Sequence, residues 1–94
     1  MGNIINMLKK MLKSDDIIQT SFKVLALDPE ILSGYNGSLG WFLTCLVDEG
    51  KLPEGVIYVG SGKDEGLIEA IYYKDATDQE KIKEFLEEFN ISVE

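Results

Sequence analysis

Apolar residues recur along this chain with two different periods, and the changes between them mark out its elements. In 3–13, NIINMLKKMLK, Ile4, Leu8 and Met11 fall at i, i+4 and i+7, and Ile5 and Leu12 widen the stripe. That spacing predicts an amphipathic helix with Asn3 as its N-cap. Lys9, Lys10 and Lys13 lie beside the stripe near the C-terminal end, where the helix dipole favours positive charge. Ser14-Asp15-Asp16 breaks the pattern.

Segment 17–27, IIQTSFKVLAL, is rich in β-branched and apolar residues and predicts a strand. Phe22, Val24 and Ala26 would share one face, Leu25 and Leu27 the other, which suits a central strand. Asp28-Pro29 stops it and can open a helical turn through Leu32 with Asp28 as cap. Then follows a Gly-rich loop, 33–40, SGYNGSLG. Its Ser38 is the expected N-cap of a helix over 39–49, LGWFLTCLVDE, which ends at Gly50. That helix is apolar almost all round, so it should be buried or covered by a partner.

After a Pro53-Glu54-Gly55 turn, 56–59 predicts a strand and 60–66 a loop. Segment 67–74, LIEAIYYK, fits either state, because Leu67, Ile68 and Ile71 can also line a helix. Its Ile and Tyr content and the preceding hairpin-like loop favour a strand. The last helix carries a Thr77-x-x-Glu80 capping box, with Ile82, Phe85, Leu86 and Phe89 at i, i+3, i+4 and i+7. Asn90 ends it, and Ile91-Ser92-Val93 alternates like a short edge strand.

The order is a helix followed by β-α-β-β-α-β. We expect one α/β (α+β) domain over 1–94, with a core at 17–94 and residues 1–14 as a helical appendage. The expected core is a ferredoxin-like sandwich, two helices on one face of a four-stranded antiparallel sheet. The leading helix can cover the open sheet face or an edge, pack on a partner, or swap onto a second copy.

Charge changes this picture. The 94 residues hold nine Lys against 17 Asp and Glu, with no Arg and no His, for a net charge of -8. Before residue 48, Asp15, Asp16, Asp28 and Glu30 cancel Lys9, Lys10, Lys13 and Lys23, so the whole excess lies in 48–94. Direct nucleic-acid binding is not expected of such a chain. The absence of His removes His-based acid/base pairs and His-ligated metal, and the absence of Arg removes bidentate clamps. A single Cys45 cannot form an internal disulfide and reads as a small buried hydrophobe. The Lys residues follow the N-terminal apolar residues, the wrong order for a signal peptide, and no apolar run approaches a membrane span. A cytoplasmic protein without cofactor, metal or membrane attachment is the expectation.

Two constellations remain as candidate sites. Glu80, Glu84, Glu87 and Glu88 form most of the last helix's polar face, either as a solvated surface or as a dock for a basic protein. Lys83 can pair with Glu87 there at i+4. Tyr35 and Trp41 stand among Gly34, Gly37 and Gly40, and both residue types are common interface anchors. The favoured reading is a non-enzymatic, inhibitory or regulatory interaction domain, in the manner of an immunity protein or nucleic-acid mimic. The alternative is a dimeric small-molecule sensor. The lesser one is an enzyme or anion binder using the Gly60–Lys63 loop, whose spacing is not that of a P-loop. The acid pairs Asp15-Asp16 and Asp64-Glu65 fit no Ca²⁺-loop pattern.

Overall fold

A computed structural model of the chain describes residues 16–63 and 66–94. The helix expected over 3–13, the 1–14 appendage, Asp15 and the Asp64-Glu65 pair lie outside the described residues. Strand β1 spans Ile17–Leu27, a 3-10 turn Ser33–Tyr35, helix α1 Leu39–Asp48, strands β2 Val56–Ser61 and β3 Leu67–Tyr73, helix α2 Gln79–Glu87, and strand β4 Ile91–Val93. The architecture is mixed α+β: one four-stranded antiparallel sheet, in the order β2-β3-β1-β4, and the two helices.

The β-branched run of β1 takes a central place, paired with β3 on one side and β4 on the other. Ile17 lies opposite Tyr73, Gln19 opposite Ile71, and Phe22 opposite Ile68. Segment 67–74 resolves as the strand its Ile and Tyr residues favour, because it fills the gap between β1 and β2. Ile91–Val93 is indeed an edge strand, short enough to leave little unpaired backbone.

Both helices cover the same face. Phe22, Val59, Ile68, Ala70 and Tyr72 point from the sheet into one core with Phe42, Leu43 and Leu46 of α1 and Ile82, Phe85 and Leu86 of α2. The large side chains among these contribute about 1.5–3 kcal/mol each on burial, so this layer carries the fold. Gly40 sits where an added Cβ would stand 3.3 Å from Ser61 Cβ, so its missing side chain lets the start of α1 approach β2 closely. Gly55 precedes β2 at φ +86, with Ala76 and Thr77 against the position its Cβ would occupy.

Four local expectations are corrected. Asp28 does cap, its Oδ1 accepting the Glu30 N–H at 2.9 Å, but residues 29–32 form successive turns with i+3 bonds instead of an α-helical turn. Pro29 and the following Gly-rich loop leave too few residues to propagate a helix. The β1–β4 register shifts between Val24 and Ala26, so the simple alternation fails there: Leu25 is 59% exposed, Ala26 is exposed and Leu27 packs against the core. Asp78, not Thr77, is the N-cap of α2, its Oδ1 accepting the Lys81 N–H at 3.0 Å. Thr77 is instead buried against the Gly55 turn. Finally, Cys45 is only half-buried on α1.

Candidate functional site

The loop that carries Tyr35 is shaped by two left-handed residues. Asn36 at φ 55 and Gly37 at φ +73 reverse the chain after the 3-10 turn, conformations that Asn and Gly tolerate best. Ser38 then takes an extended conformation and caps α1, its Oγ accepting the Trp41 N–H at 3.1 Å, as its side-chain chemistry predicts. This fixes the first turn of α1 and with it the direction of Trp41.

Tyr35 and Trp41 divide into different roles. Tyr35 is half-buried and meets Phe42 edge-on, with ring centroids 5.2 Å apart. Trp41 is 52% exposed, the most exposed aromatic residue of the chain's large hydrophobics. Leu39, Phe42, Leu43 and Leu46 take the inward side of α1, which leaves Trp41, Thr44 and Asp48 on the outward side with half-buried Cys45 between. An indole so placed costs solvation free energy that its own domain does not recover.

The aromatic contacts continue to the other helix. Phe42 meets Phe89 at 5.5 Å, and Phe89 meets Phe85 at 5.3 Å, both edge-to-face. Each such pair adds about 0.5–1.5 kcal/mol beyond burial. The ladder Tyr35–Phe42–Phe89–Phe85 therefore ties the Tyr35 loop and α1 to the end of α2. Sequence reasoning names Tyr35, Phe85 and Phe89 separately but misses Phe42 as the joint. The period of α1 puts Phe42 inside, and only the packing of the two helices shows what it touches.

Glu80, Glu84, Glu87 and Glu88 are all exposed on α2, opposite Ile82, Phe85 and Leu86. Lys83 pairs with Glu80 at 3.8 Å rather than with Glu87, and Glu80 remains largely solvent-exposed in that pair. Exposed pairs of this kind contribute about 0–1 kcal/mol, so the face stays strongly negative. Both candidate parts thus belong to the same helical layer.

An open cleft of about 440 Å³ lies at the start of α1. Leu27, Leu32 and Leu39 give it an apolar floor, and Asn36, Ser38 and Ser61 give it polar groups. Ser61 closes β2, and the chain passes through Gly62 and exposed Lys63 to β3, so Lys63 stands at a strand hairpin and not at a helix start. The close approach that Gly40 permits is the sequence signal that foreshadows this cleft.

On the opposite face of the sheet, Tyr58 runs along β2 over Gly60, where any Cβ would overlap its ring. Burial, and after it the charge of Glu69, raises the Tyr58 phenol above its usual value of 10.0. Among the described residues, no three His, Cys, Asp or Glu side chains come together as metal ligands, and no helix is long and apolar enough to cross a membrane. Compared with known protein families, curated proteins and solved structures, the chain finds no match.

Proposed function

We propose that this chain is a non-enzymatic, regulatory or inhibitory interaction domain that docks a basic protein partner through its helical layer. Trp41 is the apolar anchor, Tyr35 supports it through Phe42, and Glu80, Glu84, Glu87 and Glu88 supply the charge. The observation that carries this reading is Trp41: a large aromatic side chain, half exposed, on a helix whose other face is locked into the core. Interface anchors are enriched in Trp and Tyr, and a charged surround steers the partner and excludes others.

The strand order, read as β4-β1-β3-β2 with one helix between β1 and β2 and one between β3 and β4, supports a ferredoxin-like assignment. The lone thiol of Cys45 suits a reducing compartment, which supports a cytoplasmic setting. The cleft beside Ser38 and Ser61 favours a second reading, a small-molecule-sensing domain that works as a homodimer.

The test is capture from lysate of the native host, followed by mass spectrometry. Wild type is compared with Trp41→Ala and with reversal of Glu80, Glu84, Glu87 and Glu88 to Lys. A specific basic protein held by wild type and lost from both variants is expected. A capture profile identical for all three overturns the reading. Ligand-dependent dimerisation of the wild type, detected by sedimentation, would favour the second.

A further inference from the structure

Asn36 is followed by Gly37, and both are exposed where they line the cleft that precedes α1. In an Asn-Gly pair the side-chain amide reaches the next backbone nitrogen with least hindrance. Gly37 has no Cβ to shield that nitrogen, and a Cβ built there would meet nothing within 4 Å. Asn90 offers a comparison within the same fold. It is also exposed and left-handed, at φ 59, but its successor is the fully buried, β-branched Ile91.

In the folded loop the Gly37 N–H donates to the Leu32 carbonyl at 2.9 Å. That bond must break before the nitrogen can lose its proton and attack. The lock is a local one. The N–H groups of Tyr35, Gly37 and Ser38 all bond to carbonyls of Leu32 or Tyr35. From Ser33 to Ser38 only Tyr35 is half-buried, and the rest are exposed. A segment with so little buried surface opens without the core.

We propose that Asn36 is a site of spontaneous modification, converting to aspartate and isoaspartate through local opening of this loop. The Gly37 nitrogen gives its proton to hydroxide or water and attacks Asn36 Cγ. The new N–Cγ bond closes a succinimide ring as the Cγ–Nδ2 bond breaks, and ammonia leaves with a proton from solvent. Water then adds to either ring carbonyl. Opening at Cγ leaves aspartate in the original main chain. Opening at the main-chain carbonyl leaves isoaspartate, whose chain runs through Cγ. Each conversion releases one ammonia and consumes one water.

Both products change the cleft. None of the side chains that line it is charged, so either product gives it a first carboxylate. Isoaspartate also lengthens the main chain just before Gly37 and Ser38, whose bonds to Leu32, Tyr35 and Trp41 hold the first turn of α1. Trp41 sits in that turn and moves with it. The modification needs no partner and goes beyond the docking reading.

The test incubates the folded full chain in neutral and in mildly alkaline buffer, and follows the peptide that holds Asn36 by digestion and mass spectrometry. A mass gain of about 1 Da is expected at Asn36, split between two chromatographic products, faster at the higher pH and absent at Asn90. Urea below the unfolding transition should change the rate by less than about twofold, because local opening exposes little surface. Trp41 is the one tryptophan of the chain, so its emission should shift in step with the isoaspartate fraction. An Asn36 that stays intact in the folded chain while the urea-unfolded chain converts overturns the proposal. So does a rate that climbs with urea as global unfolding does, equal conversion at Asn90, or a Trp41 emission that ignores the conversion.

Discussion

Ala70 and Ile71 are consecutive residues of β3, point to opposite faces of the sheet, and are both fully buried. A sheet covered on one side only would bury the first and leave the second partly wet. Here Ile71 is as thoroughly shielded as Ala70, although among the described residues both helices pack on the Ala70 side. Ile71→Ala should then cost about 2–4 kcal/mol, the range of a true core position. Ile68→Ala, beneath the helices, is the internal reference. Urea unfolding of the two variants checks this: comparable losses are expected, whereas a loss below about 1 kcal/mol at Ile71 alone would mark a bare face.

The start of α2 separates two neighbouring side chains. Asp78 satisfies the Lys81 N–H, while the Thr77 hydroxyl is buried without a hydrogen-bond partner. Asp78→Ala should cost about 1 kcal/mol through loss of the cap. Thr77→Val should be neutral or stabilising by up to about 1 kcal/mol, because it removes a desolvated hydroxyl and keeps the shape. Thermal unfolding of both variants measures the contrast. If Thr77 were the cap, the order of the two effects would reverse.

Tyr58 gives a pH dependence with a definite sign. Its folded-state phenol titrates above 10.0, raised first by burial and then by the Glu69 carboxylate. The neutral phenol is thus the form the fold prefers. Its contribution is fully present below the unfolded value and is lost as pH rises through the higher folded value. Stability should fall from about pH 10 upward, more steeply in wild type than in Tyr58→Phe. Denaturant midpoints for both chains across alkaline pH test this, and parallel curves would contradict it.

Much of this was legible before any coordinates. The β-branched run of 17–27 and the Ser38 cap with Gly50 behind it are local signals, and the strand and helix they mark occupy those residues. The bulge after Val24 was not legible, because both Leu25 and Leu27 look equally fit for a core. Asp78 and Thr77 are both good caps, and burial of Thr77 against Gly55 decides between them. The acidic stripe of α2 was plain from spacing alone. The outward direction of Trp41 was not, since a helix as apolar as α1 hides its own inner face. Ile71 carries a misleading sequence mark: in LIEAIYY it alternates with Glu69 and Tyr73, a half-polar face that reads as open to water, while Ile68, Ala70 and Tyr72 make the evident core face.

Trp41 and the α2 glutamates make the central claim measurable as an affinity. The dissociation constant of the captured basic partner, followed across a salt series, tests it most directly. The account predicts binding that weakens at least about tenfold between low and high salt, as exposed charge pairs are screened. It also predicts that Trp41→Ala weakens binding by about 30-fold at every salt concentration, with the fold intact, as removal of an interface anchor worth about 2 kcal/mol would. Affinity that ignores both salt and Trp41→Ala would contradict it.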